Sequence, residues 1–280
     1  MKKFFIIAAV VLIFACSACG ARGEAHSPES AEKFWQSDET GGEVVPSYGE
    51  SPLNLTGIEI LGRLYQAFSE EENYVSETTG SVKAKVFGLN YTQTVYNKRY
   101  KLGEKLLVAA TSKSSLVNVA EERYYSAGET LIRRQTSGSK INGDDTEWKG
   151  SPERLSYAEY VEKYGLYPTE PTDHIVDEDT VLSAECSAFE GGYRLEVSLD
   201  ADKSTEYYKR QVKTMASAGD YPKFKSVSLV YYFGGDFRIA RADISEVYEI
   251  KKFGNITCYA AMSVAFAYGK AEEKRFAYYS

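Results

Sequence analysis

The chain has 280 residues, 40 acidic against 33 basic side chains and a formal charge of −7. That balance argues against nucleic acid or anionic lipid headgroups as partners, since bulk electrostatics would repel both. Two histidines, His26 and His174, are too few for a His-based metal cluster or a catalytic triad.

The first twenty residues, MKKFFIIAAVVLIFACSACG, open with Lys2 and Lys3 and continue as an apolar run from Phe4 to Ala15. This is the pattern of a signal peptide, and the run is shorter than the roughly 20 residues a permanent membrane helix needs. Ser17, Ala18, Cys19 and Gly20 resemble the lipobox of bacterial lipoproteins. The reading is therefore a signal peptide over 1–18 and a lipidated cysteine at Cys19, with Cys16 as the alternative acceptor. The acyl chains would hold the protein at the outer face of the cell membrane, each buried methylene contributing about 0.8 kcal/mol. Residues 19–54 are rich in Gly, Ser, Glu and Pro and read as a polar tether with a reach of about 32 Å as a coil.

The folded part is expected over 55–280 as one domain. Thr56-Gly57-Ile58-Glu59 is a capping-box pattern, and Ile58, Leu61, Leu64, Tyr65 and Phe68 follow at helical spacing. From Val75 to Gln135 short alternating runs, divided at Gly88, Gly103 and Gly128, predict an antiparallel meander of about five strands. Gly138 to Gly150 reads as a polar loop carrying Trp148. Ser156-Tyr157-Ala158-Glu159 is a second capping box, opening a short helix with Tyr157, Tyr160, Val161 and Tyr164 on one face. Two strands joined through Gly191-Gly192 follow, then a helix over about Ser204 to Ser217. The remainder predicts strands over Phe224 to Phe233, Phe237 to Asp243, Val247 to Lys252 and Ile256 to Tyr268.

The last of these is the most informative. Ile256, Cys258, Ala260, Met262, Val264, Phe266 and Tyr268 alternate with small and polar residues, which gives a strand about 43 Å long that has to twist and curve. Cys186 and Cys258, both on strand-like segments, are candidates for a disulfide or for two buried thiols.

Catalytic motifs are scarce. Ser137-Gly138-Ser139-Lys140 matches Ser-x-x-Lys but lacks its companion motifs, and Gly-x-Ser-x-Gly does not occur. Asp173, Asp177, Glu178 and Asp179 cluster carboxylates without the spacing of a calcium loop, so a solvated acidic turn is the reading and no metal or cofactor is expected. The 23 tyrosines suit half-buried sheets; the alternative is an aromatic platform, densest at Tyr207-Tyr208 and Tyr231-Tyr232-Phe233.

A leading helix, a meander, helices inserted after it and a final set of long strands resemble the half-barrel of the lipoprotein-carrier superfamily, to which LolA, LolB, LppX and RseB belong. The resemblance covers about residues 56 to 270 and is architectural. It implies an α+β, mostly β fold: a curved, unclosed antiparallel sheet around an apolar cavity, with the leading helix and two inserted helices. The function it implies is non-enzymatic binding of a hydrophobic or amphiphilic ligand, such as an acyl chain, a lipid or a lipoprotein segment. Met262, Val264, Phe266, Tyr231 and Phe233 would line the concave face. The same face could instead be a packed core. An envelope interaction or sensory module, and a carbohydrate-binding or carbohydrate-active protein, are the alternatives.

Overall fold

The computed structural model describes residues 51–86, 88–114, 118–126, 128–136, 150–164, 176–211, 222–251, 255–277 and 279. The signal peptide, Cys16, Cys19, most of the tether, Trp148, Ser137 to Lys140, Asp173 and His174 lie outside these residues, as does the proposed end of the third helix beyond Gln211.

Three α-helices are present among the described residues: α1 (Gly57–Ser69), α2 (Tyr157–Tyr164) and α3 (Ala201–Gln211). The strands are β1 (Asn73–Val86), β2 (Leu89–Leu102), β3 (Lys105–Ser114), β4 (Asn118–Ser126), β5 (Glu129–Thr136), β6 (Glu153–Ser156), β7 (Val181–Phe189), β8 (Gly192–Leu199), β9 (Lys223–Phe233), β10 (Ile239–Lys251) and β11 (Asn255–Tyr268). They form one 11-stranded sheet in the order β6-β5-β4-β3-β2-β1-β11-β10-β9-β8-β7. Every neighbouring pair is antiparallel, and β6 and β7 stand as the two edges of an unclosed sheet. The fold is thus mostly β, with the helices and open sheet of a half-barrel. The first and last strands meet in mid-sheet, from Tyr74 opposite Tyr268 to Ala84 opposite Cys258.

The meander and the last strand are as the alternation predicts, and several details differ. The two strands expected over 237–243 and 247–252 are one continuous β10: Ile244, Ser245 and Glu246, the expected break, pair with both neighbouring strands, and Glu246 is buried. The third helix starts at Ala201, where Asp200 Oδ1 accepts the backbone N–H groups of Asp202 and Lys203. The β7–β8 turn is Glu190-Gly191, both at positive φ (43° and 81°), the geometry a tight hairpin favours. Gly192 instead opens β8, where an added Cβ would sit 2.7 Å from the Phe233 carbonyl oxygen. Pro52–Asn54 forms a 3-10 turn with Pro52 buried, so folded structure begins within the stretch assigned to the tether.

Side-chain alternation divides the sheet into an inner face, which carries the helices, and an outer face. The capping box of α1 is formed in both directions: Thr56 N–H donates to Glu59 Oε2 (2.8 Å) and Glu59 N–H to Thr56 Oγ1 (3.3 Å). The helix turns Ile60, Leu61 and Leu64 into the core and leaves Tyr65 exposed. The buried stripe is therefore rotated from the predicted one, with Ile60 taking the place of Tyr65. At its start an added Cβ on Gly57 would lie 2.3 Å from Ala184 Cβ, so only glycine permits this approach to β7. At its end Phe68 contacts Tyr74 of β1 and Phe266 of β11, with ring centroids 5.0 and 5.5 Å apart. Helix α1 thus crosses the inner face from β7 to β1. Beneath it lies the main core, including Leu195, Val197, Val227, Leu229, Ile250 and Ile256.

A second core lies on the outer face and has no counterpart in the sequence reading. After β11 the chain folds back, and Ala271 and Phe276 close over Val75, Tyr100, Leu107, Tyr124 and Leu131. Asn73 fixes the return with two hydrogen bonds to the backbone of Ala271. Phe276 is fully buried, Tyr279 stacks on Tyr124 at 4.8 Å, and Arg275 lies over the Tyr100 ring. A third, small cluster on the inner face joins Leu106, Tyr125 and Ile132 to Tyr160 of α2.

Candidate functional site

The register places all seven alternating residues of β11, from Ile256 to Tyr268, on the inner face, as the sequence predicts. Following the row through Val264 toward β7, its successive neighbours are Ala242, Tyr231, Leu195 and Cys186. Following the same row the other way, they are Thr78, Asn97, Ala110 and Glu121. One side is apolar and the other polar. The adjacent row repeats the change: Phe266 is followed by Ser76, Arg99, Val108 and Arg123.

The predicted ligand-lining residues separate along this gradient. Met262, Tyr231 and Phe233 are buried in the core under α1, whereas Val264 and Phe266 are half-buried at its margin. Gly80, opposite Met262, leaves room for it: an added Cβ would sit 2.6 Å from Met262 Cγ. Beyond the margin, Asn97, Val108, Ala110, Glu121 and Arg123 are also only partly buried. Half-covered residues in two adjacent rows define a strip across the inner face, from Phe266 and Val264 to Arg123 and Glu121.

Charge on this strip is balanced locally. Arg123 donates through Nε and Nη2 to Glu121 Oε1, and through Nη1 to the Tyr160 hydroxyl at 3.3 Å. Burial opposes the Arg123 charge, but Glu121, Tyr125 and Tyr160 beside it hold the guanidinium pKa well above its usual range. Burial also pushes the Tyr125 hydroxyl far up, so it stays neutral. Gln93 is fully buried on the same face of β2 and donates from Nε2 to Ser112 Oγ at 2.5 Å. These polar residues escaped the sequence reading because Asn97, Arg99 and Glu121 look like solvent-facing strand residues until Tyr91 and Val95 fix which face they share.

Other candidates are accounted for structurally. Cys186 and Cys258 are both free thiols, on strands four inter-strand spacings apart, or about 19 Å along the sheet. Burial pushes the Cys258 thiol up to about 12, and burial also raises Cys186, so neither is a thiolate nucleophile at neutral pH. Asp177 Oδ1 accepts from the backbone N–H groups of Asp179 and Thr180 and from Thr180 Oγ1, a turn that closes on itself. Among the described residues no group of three His, Cys, Asp or Glu side chains could hold a metal ion. The Tyr231-Tyr232-Phe233 trio is split by strand alternation. Tyr231 and Phe233 point into the core, while Tyr232 lies on the outer face under the Arg241 guanidinium, 3.9 Å from the ring centroid. Tyr208 is buried against Phe224.

No described helix is long and apolar enough to cross a membrane. No family model and no curated protein matches the chain. Among solved structures it is similar to a DUF1329 family protein from Desulfovibrio piger, at 11% identity over 81% of this chain and 97% of that one, with a TM-score of 0.27. A domain from Vibrio parahaemolyticus named for outer membrane lipoprotein sorting gives 10% identity over 79% and 95%, with a TM-score of 0.23. The ywiB protein of Bacillus subtilis gives 11% identity over 74% and 99%, with a TM-score of 0.22. Overlap at this level is a likeness of architecture, too loose to transfer a ligand or a residue role.

Proposed function

We propose that this chain is a non-enzymatic, exported lipoprotein that holds an amphiphile across the inner face of its sheet. The aliphatic part rests on Val264, Phe266 and Phe68, and the polar part lies toward Asn97, Arg99 and Arg123. The observation that carries this reading is the change from apolar to polar along two adjacent rows, with half-buried residues at the boundary. An entirely apolar cavity would suit a bare acyl chain; a graded strip suits a molecule with two ends. Acylation at Cys19, or at Cys16, would fix the protein to the outer face of the cell membrane, so receiving or sensing a ligand there fits better than shuttling between membranes.

Native mass spectrometry of the full chain isolated from its own envelope tests the binding. An amphiphile that co-purifies with the chain and is lost in Val264→Glu is the expected result; a chain that stays ligand-free in that extract overturns it. Labelling with a palmitate analogue tests the anchor: the label is expected to vanish in Cys19→Ala, and its survival there with loss in Cys16→Ala would move the anchor to Cys16. The exposed Leu182 on edge strand β7 favours a second reading, in which that edge pairs with an envelope protein. Crosslinking from residue 182 in intact cells would reveal a specific protein adduct.

A further inference from the structure

The two edges of the open sheet are built differently. Strand β6 is four residues long, follows Pro152 and carries the exposed Glu153 and Arg154, features by which natural sheets keep an edge from pairing. Strand β7 has nine residues, with no Pro, Lys or Arg among them, and its one charged side chain is Glu185. A register shift at Leu182 bends its start and leaves residues 183–189 as the regular stretch, with Cys186 at the midpoint. The tight Glu190-Gly191 turn makes Phe189 and Gly192 a hydrogen-bonded pair, so by alternation Ala184, Cys186 and Ala188 direct their N–H and C=O groups away from β8. Among the described residues no strand takes these groups up. Helix α1 meets the strand at Ala184, from the inner face, while Ser183, Glu185, Ser187 and Ala188 are exposed.

The stretch is complementary to itself. Two copies of residues 183–189 laid antiparallel about Cys186 set Ala184 against the partner's Ala188, Glu185 against the partner's Ser187 and Ser183 against the partner's Phe189. Inner residues meet inner residues, and no like charges stand opposite. Centring the pair one residue earlier would set Glu185 against its own copy, and like charges directly opposite destabilise a sheet. We infer that β7 pairs with β7 of a second copy of this chain, joining the two sheets across a two-fold axis at Cys186. The inference rests on the edge-pairing reading above and names its partner; the amphiphile has no part in it. About six backbone hydrogen bonds form the seam, and the side chains along it are small, so the dimer is a weak and reversible one.

Disulfide trapping of the full chain, isolated from its own envelope and oxidised with copper phenanthroline, tests the register. Hydrogen-bonded partners on antiparallel strands stand about 5.5 Å apart at Cα, within the span of a disulfide. Cys186 should yield an adduct of twice the chain's mass that is lost in Cys186→Ser and kept in Cys258→Ser. In the Cys186→Ser background, a mixture of Ala184→Cys and Ala188→Cys chains should crosslink where neither variant does alone. Sedimentation tests the dimer without a crosslink. Ser187→Glu, opposite Glu185, should weaken dimerisation about fivefold, and Ser187→Lys should strengthen it by a similar factor. Opposite signs at one exposed position are not what a folding defect gives. Equal effects of the two variants, or crosslinks indifferent to position, overturn the inference. An adduct from residue 182 with a different protein and no dimer overturns it while leaving the edge-pairing reading standing. Neither dimer nor adduct overturns both.

Discussion

The two wings of the sheet are covered differently. In the wing from β7 to β11 the inner face carries the core and is covered by α1, while the outer face shows Ser245, Glu196 and the exposed Tyr259. In the wing from β1 to β5 a second apolar cluster lies on the outer face, under the C-terminal return with Phe276, while Val82, Tyr91, Leu106 and Tyr125 are buried on the inner face. A strand needs one buried face to be stable, and the β1–β5 wing gains a second covering on the side that the other wing leaves open. The consequence is chemical: because β2 to β4 gain burial from the outer face as well, the middle of their inner face can carry the half-buried Asn97, Arg99 and Glu121. The polar half of the proposed site depends on the strap behind it.

The largest expected effects test this division directly. Phe276→Ala removes a fully buried ring and should destabilise the protein by about 4 kcal/mol, measured by urea unfolding. Amide hydrogen exchange should then quicken in β2 to β5 and stay slow in β8 and β9; equal quickening in both wings would show a single cooperative unit and sink the comparison. Leu64→Ala, on the opposite covering, should cost about 3 kcal/mol and give the reverse exchange pattern.

A smaller pair of substitutions sharpens how α1 is seated. Gly57→Ala places a methyl 2.3 Å from Ala184 Cβ and 2.4 Å from its carbonyl oxygen, and overpacking of this kind should cost about 2 kcal/mol. Gly62, in the same helix, has nothing within 4 Å of an added Cβ, so Gly62→Ala should stabilise by about 0.5–1 kcal/mol through helix propensity alone. Opposite signs from two glycines five residues apart would locate the contact at the helix start; equal costs would contradict it.

What the sequence made legible was local. The Thr56 capping box, the alternation of β11 and the turn after Phe189 each carry their signal in a few adjacent residues. The strap was hidden because its evidence is distributed: Phe276 and Tyr279 show no periodicity, and their partners lie far away in the chain. A signal for it exists in the doublets Leu106-Leu107, Tyr124-Tyr125 and Leu131-Ile132, where two consecutive apolar residues mark strands covered on both faces. The candidate site was half legible for the same reason. Val264 and Phe266 follow from alternation within one strand, but Asn97 and Glu121 join them only through the register of β1, β2, β3 and β4.

The smallest effect compares the two wings through their helix starts. Helix α1 on one side and α2 on the other open with the same capping box, Thr56 with Glu59 and Ser156 with Glu159. In both, hydrogen bonds from the backbone and side chain of the cap residue hold the glutamate pKa below its ordinary value. A carboxylate whose pKa is lowered by folding adds stability above its unfolded value, near 4.5, and that stability is lost as the pH falls through the lower native value. Acidification below pH about 4.5 should therefore loosen both helix starts, seen as faster exchange of the Glu59 and Glu159 amides. Glu59→Gln and Glu159→Gln keep the box geometry without a titrating proton and should flatten the response, each only in its own wing. A pH response that persists in the double variant would place the acid sensitivity elsewhere. One that vanishes with Glu59→Gln alone would make α1 the covering that sets the stability of both wings.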